Sequence, residues 1–381
     1  MVLGFPANCL RALCPCPLPI SAHALGAKLM EQTGRPVVPI EATSKSAERT
    51  IAFHVSPLRS LAERLTFLSS IRSPDSQTEN LDETYRHTIT VHGREYQKYS
   101  IDNEISFQPV DRDEANRLEL QNKVFNKVFD NRLIFPRNCE PQRVLDCGHG
   151  AGSWAFQVAE NFPECKVIGV DISPHMIPDD DDYDVMENLE FQVDDLNRPF
   201  TFPPEDFDLV NSRMMAAGID GSRWTSYIQD IKRVLKPGGW VQLVEIYFNV
   251  QSDNGSLTEK HALRQWSTKL MSSVEGVKDL RVGTRLRDLL LAAGLKEVES
   301  TMIPLPLCEW ASEPRMRDIG KDNRKITRRL LTAVALYPLT QRLHMPHDEF
   351  QQLIDQAQKE AESPSLKTYF PLYVAIGRKP S

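Results

Sequence analysis

The residues of this 381-residue chain that could do chemistry gather first in Arg143-Val-Leu-Asp-Cys-Gly-His-Gly-Ala-Gly-Ser-Trp154. Gly148, Gly150 and Gly152 fall at every second position, where a missing Cβ permits positive φ and lets backbone amides approach a bound group closely. Asp146 places a carboxylate beside that turn, and the apolar residues on either side make the stretch a buried strand that breaks and then opens a helix. A second acid, Asp171, ends the apolar run Lys166-Val-Ile-Gly-Val-Asp171, nineteen residues after Gly152, about the distance a single crossover helix spans. The chemistry such a set supports is ligand binding. One carboxylate meets a cation, exposed amides line the ligand, and an acid at a strand end accepts paired hydroxyls. A dinucleotide fingerprint, G-x-G-x-x-G, would need glycine at position 153, which is Ser153.

The spacing D-x-G-x-G-x-G resembles motif I of the class I S-adenosylmethionine-dependent methyltransferases. Val234-Leu-Lys-Pro-Gly-Gly-Trp-Val-Gln-Leu-Val-Glu245 is similar to the turn before the fifth strand in that class. The resemblance implies a doubly wound, mostly parallel α/β sheet of Rossmann-like type, whose last strand enters antiparallel, with S-adenosyl-L-methionine as cofactor. It also implies site roles. Asp146 and the glycines would hold the methionine end, and Asp171 with Ile172 the ribose. Asp194 would take the adenine amino group, and Asp195 with Leu196 would add backbone contacts. Asn211, with Ser212 and Arg213, would lie beneath the methionine moiety. More narrowly, His92-Gly-Arg94, Asp113-Glu-Ala-Asn-Arg-Leu118 and Glu245-Ile-Tyr-Phe-Asn-Val-Gln-Ser-Asp253 resemble the LaeA-type and related secondary-metabolite methyltransferases of filamentous fungi. That resemblance covers about three quarters of the chain. At Gln121-Asn122 many relatives have Gln-His, so no role of that histidine carries over.

The elements that must position these residues follow from pattern. Strands are expected at 143–147, 166–171, 189–193, 206–211 and 239–246, with helices near 152–162 and 222–235, the second stopped by Lys236-Pro-Gly-Gly239. Asp111, with an acid three residues on, starts a helix of about twenty residues whose stripe is Leu118, Asn122, Phe125, Phe129 and Leu133. Two insertions, 247–280 with a helix over about 257–272 and 305–367 with further helix, should act as helical lids over the carboxyl ends of the strands. A strand near 295–303 separates them, and Tyr369–Gly377 is a terminal strand.

Composition narrows the function. Hydrophobic residues make up 41% and charged residues 25%, with net charge −7. That acidity lacks the basic footprint of a phosphate-backbone binder, so no nucleic-acid partner is expected. No run of eighteen apolar residues occurs, and no membrane span is expected. Seven scattered cysteines, without a C-x-x-C pair, indicate neither zinc nor a disulfide framework and suit a reducing compartment. The expected location is the cytoplasm, with the nucleus as alternative. Residues 1–84, broken by eight prolines between Pro6 and Pro74, are expected to be a largely disordered tail with one short helix over 58–71. Residues 85–381 form the catalytic domain.

Glu245, Tyr247, His261 and Trp266 are pocket-lining candidates, His149 occupies a variable position of the glycine turn facing solvent or substrate, and none is marked as a catalytic base. The acid run Pro178–Asp182 reads as a solvated loop. The leading function is methyl transfer to oxygen or nitrogen of a small metabolite. The alternative is a LaeA-like regulator of secondary metabolism acting with nuclear partners. A NAD-binding oxidoreductase is disfavoured by Ser153 and by the Lys-Pro-Gly-Gly turn. The acceptor's identity and the oligomeric state are not encoded in any recognisable pattern.

Overall fold

The computed structural model of the protein describes residues 81–381 apart from 138 and 178–185. The expectations for 1–80, including the short helix, and for the acid run 178–182 fall outside the described residues. A 3-10 turn, Glu83–Arg86, leads into a hairpin of β1 (Thr88–Val91) and β2 (Arg94–Gln97) and a short helix α1 (Lys98–Asp102). Helix α2 (Arg112–Val128) follows. Asp111 caps it by accepting the Glu114 amide at 3.0 Å, while the same carboxylate binds Arg94 at 2.6 and 2.8 Å. This helix stops at Val128, short of the expected length. Asp130 and Asn131 take positive φ, and Leu133 falls in the loop instead of on the helical stripe.

The core alternates strand and helix as the pattern requires: β3 (Arg143–Cys147), α3 (Ser153–Asn161), β4 (Lys166–Asp171), β5 (Leu189–Val193), β6 (Phe207–Arg213), α4 (Trp224–Val234) and β7 (Leu235–Ile246). A two-residue strand β8 (Gln251–Ser252), α5 (Ala262–Ser273), α6 (Leu286–Ala292), β9 (Lys296–Pro306), α7 (Pro314–Ala333), α8 (His347–Ala361) and β10 (Thr368–Arg378) complete the chain. The sheet order is β5-β4-β3-β6-β7-β10. The strands from β3 to β7 are parallel, and β10 runs antiparallel to β7, β8 and β9. The antiparallel last strand implied by the family resemblance is therefore present.

Alternation along the strands divides the core. Val144, Val167 and Leu209 pack with Trp154, Ala155 and Val158 of α3, whereas Leu145, Ile168 and Val210 belong to the opposite core with Tyr227, Ile228 and Ile231 of α4. Each fully buried aliphatic side chain contributes about 1.5–3 kcal/mol, so register is strongly fixed. Asp146 and Asn211, two residues after Val144 and Leu209, are thereby placed on the α3 face. The Lys236-Pro-Gly-Gly239 turn is a bulge within β7, not a loop before it. Phe207 pairs with Leu235 and Leu209 with Trp240, so four residues are looped out opposite one. Helix α5 begins at Ala262, five residues after the expected start, because Thr258 and His261 close a separate turn ahead of it, with the Thr258 amide donating to His261 Nδ1 at 3.0 Å and the His261 amide to the Thr258 carbonyl at 3.0 Å.

Candidate functional site

At the end of β3 the chain reverses through three left-handed glycines, with φ of +74°, +54° and +71° at Gly148, Gly150 and Gly152. The Gly148 amide donates to the Val170 carbonyl at 2.7 Å, and the Gly150 amide to Asp171 Oδ2 at 2.9 Å. Asp171 Oδ1 accepts the Ser173 amide at 3.0 Å. The two expected motifs are thus joined by a direct bond. Close packing around the turn leaves no room for side chains on it: a Cβ at Gly148 would lie 2.0 Å from Met215 Sδ, one at Gly150 3.1 Å from Leu118, and one at Gly152 2.8 Å from Phe191, so this glycine cradle presents only backbone.

Strand register builds the floor. Asp146 pairs with Asn211, which pairs with Gln242. Asn211 donates to Asp146 Oδ1 at 2.7 Å, and Gln242 donates to Asn211 Oδ1 at 2.9 Å. Gln242 also donates to the Leu133 carbonyl at 2.9 Å and accepts the Phe135 amide at 3.0 Å. Asn211 is fully buried, so its side chain orients Asp146 from below. Burial pushes the Asp146 carboxyl up, opposed by the charge of Arg213 and the Asn211 bond. Arg213 is half-buried, bonds Asn122 Oδ1 at 2.7 Å and lies over the Phe125 ring at 5.5 Å. Helix α2 therefore covers this end of the site.

At the other end, the Asp194 amide donates to the Asp171 carbonyl at 3.1 Å. The carboxylate of Asp194 accepts the Asp195 amide at 2.8 Å, and that of Asp195 accepts the Asn197 amide at 2.9 Å. Leu196 is buried. The Ile172 carbonyl accepts Gln97 Nε2 at 2.9 Å, and Gln97 also donates to the Tyr85 carbonyl at 2.8 Å. The hairpin thus ties Gln97 to the end of β4 and to Tyr85, against which the Tyr99 ring packs with centroids 4.6 Å apart. Sequence reasoning missed these residues, because nothing in an alternating hairpin signals a partner 75 positions away.

Beyond the glycine turn, a 3-10 turn over Met215–Ala217 forms a shared wall. Met215 lies against Gly148, and Ala217 lines a small apolar cleft of about 20 Å³ bounded by Phe107, Phe248, Leu270, Val274, Leu280, Val334 and Pro338. Both insertions contribute to it, as a lid requires. Its one charged side chain, Lys278, is tied to Asp220 Oδ1 at 2.6 Å and the Gly218 carbonyl at 3.2 Å. Burial lowers the ammonium's pKa against the pull of Asp220.

The remaining candidates are structural. Glu245 does not face a pocket. It is buried beneath the shared wall, where its carboxylate accepts the Met215 and Ala216 amides at 2.7 and 3.0 Å, and burial pushes its pKa up to about 8. Trp266 is core, donating to the Leu331 carbonyl at 2.9 Å. His149 contacts the Gly150 carbonyl at 2.8 Å and packs on Phe191. His261 contacts Thr258, and the Tyr247 hydroxyl accepts from Asn249 at 3.2 Å. None of these five lines the cleft.

Residues 144–239 match a family model described as a methyltransferase domain. The chain is 28% identical over 283 residues to the secondary metabolism regulator LAE1 of Cochliobolus heterostrophus, covering 71% of this chain and 89% of that one. It is 28% identical over 279 residues to the protein-methionine methyltransferase laeA of Emericella nidulans, covering 72% of each. Among solved structures, a phosphoethanolamine N-methyltransferase of Haemonchus contortus aligns with a TM-score of 0.42 and 19% identity over 68% of this chain. The chain spans about half, 53%, of that protein's length.

Proposed function

From the premise that the chain is an S-adenosylmethionine-dependent methyltransferase of the class I, Rossmann-like type, similar to the LaeA-type proteins of fungi, we propose that it methylates oxygen or nitrogen of a small, largely apolar molecule in secondary metabolism. The observation that carries this reading is the shared wall, which sets an apolar cleft directly beside the glycine cradle. The cradle fits the cofactor in its chemistry. Asp146 would meet the ammonium, the glycine amides would line the methionine chain, and Asp171, joined by Ile172, would accept the ribose hydroxyls. Asp194 would take the adenine amino group, with Asp195 and Leu196 supplying backbone contacts and Asn211 holding Asp146 in place. A cytoplasmic site of action belongs to the same proposal.

The bound cofactor supplies a methyl group already activated by its sulfonium. The protein's task is then to hold a nucleophile at about 3–3.5 Å in a dry site, which the apolar side chains of the two insertions favour. A positioned base would add about 10² to 10⁴ in rate. Because His149, Tyr247 and His261 are engaged elsewhere, single alanine substitutions at these positions are expected to lower turnover by less than about 10², measured in single turnovers with saturating cofactor.

A second reading is methyl transfer to a protein methionine. It is favoured by Met215, whose sulfur lies against Gly148, and by the activity named for the Emericella relative. One experiment separates the two. The protein is incubated with methyl-labelled S-adenosylmethionine and a fungal metabolite extract. Label in a small molecule supports the first reading, label retained on protein the second, and label in neither overturns both.

A further inference from the structure

We infer that Arg213, aimed by Asn122, receives the carboxylate of S-adenosylmethionine, so that the amino-acid end of the cofactor is held between two opposite charges, Asp146 and Arg213. This rests on the cofactor reading above.

Arg213 ends β6 two positions after Asn211, so strand alternation sets it on the same face as Asp146. Its guanidinium is only partly engaged by the protein. The guanidinium is half-buried over the Phe125 ring and has one hydrogen bond, to the neutral amide of Asn122. It forms no ion pair with any described carboxylate. Its other donors have no protein partner among the described residues. Burial lowers its pKa to about 10, which leaves it charged at neutral pH, with Asp146 the only opposing charge of consequence.

Arginine recognises carboxylates through a planar fork, and a half-buried guanidinium with donors left open is met by an ionised acceptor far better than by an amide. The aim of the fork is set from α2. Asn122 Nδ2 donates to Gln157 Oε1 at 2.9 Å, as does Asn126 Nδ2 at 3.1 Å, and Gln157 lies on α3, the helix that the glycine turn opens. With its nitrogen committed to Gln157, Asn122 presents its oxygen to Arg213. The amide at 122, where many of the resembled relatives have histidine, thus has its own role as a positioning residue.

The test compares two ligands that differ only in this carboxylate, S-adenosylmethionine and decarboxylated S-adenosylmethionine, by calorimetry on the full-length protein. The unmodified chain should prefer the intact cofactor. Arg213→Leu should weaken binding of the intact cofactor by about 10- to 100-fold and change binding of the decarboxylated form by less than about threefold. Arg213→Lys, which keeps charge and stem length, serves if the leucine variant fails to fold, and should lose about 3- to 10-fold of the preference. Asn122→Ala should give a smaller loss of the same selective kind. Equal losses for both ligands, or an unchanged preference, would overturn the inference while leaving the cofactor assignment intact. An unmodified protein that binds neither ligand would overturn both.

Discussion

Asp171 serves two structures at once, accepting the Gly150 amide at 2.9 Å and the Ser173 amide at 3.0 Å while ending the strand beside the cradle. Both oxygens retain lone pairs for further donors. Replacing Asp171 by alanine is expected to weaken S-adenosylmethionine binding by about 1.5–3 kcal/mol, the range for a charge-assisted hydrogen bond. Calorimetry showing unchanged affinity would refute the ribose role. Glu245 makes a prediction about pH. Burial raises its folded-state pKa from 4.5 to about 8, so the native state holds a proton that the unfolded chain releases. Stability from this group is fully present below pH 4.5, declines as pH rises and levels off above about 8, with a slope of at most about 1.4 kcal/mol per pH unit. Melting curves of Glu245→Gln should lack that decline between pH 5 and 8, and identical pH profiles for the two proteins would count against it. The place of Asp171 at the end of β4 was legible in sequence because the acid follows an apolar run at a fixed crossover distance. The role of Glu245 was not, since its partners are amides thirty residues away that meet it only after β6 and β7 pair.

At the scale of elements, the lid is fastened to the helix that covers the cradle. Arg315 of α7 donates to the Lys127 and Val128 carbonyls at 3.0 and 2.7 Å, satisfying the open C-terminal end of α2, and Lys127 returns a bond to Asp318 at 2.7 Å. Helix α7 is in turn pressed onto the chain leaving β9. A Cβ on Gly320 would lie 2.2 Å from the Cys308 carbonyl oxygen, which is backbone and has little room to yield. Gly320→Ala is expected to cost about 1–3 kcal/mol through overpacking, read as a melting temperature lowered by several degrees. A variant as stable as the parent would show that the contact is looser. The strand bounds 143–147, 166–171 and 189–193 emerged from periodicity alone, because apolar runs between turn residues are a local signal. The cleft did not, since its walls come from positions as distant as Phe107 and Pro338 and its apolar side chains have no chemistry that distinguishes them from core. The same holds for the bond from Arg213 to Asn122, which spans 91 positions.

For the whole molecule, the sheet supplies rigidity while the elements around the glycine turn gather at its carboxyl ends: hairpin, α2, the turn after β6, and the two insertions. One of these attachments is narrow. The hairpin meets the end of β4 through Gln97, whose side chain reaches the carbonyl of Ile172, the residue next to Asp171. A ligand that immobilises Asp171 must therefore also quiet the hairpin, although the hairpin supplies no group assigned to it. Amide hydrogen exchange over residues 94–102 should slow on adding S-adenosylhomocysteine and become indifferent to it in Gln97→Ala; a hairpin equally protected with and without ligand would deny the linkage. In these terms Gln97 works as the needle of a gauge, turning occupancy of a buried cradle into a signal readable at the edge of the fold.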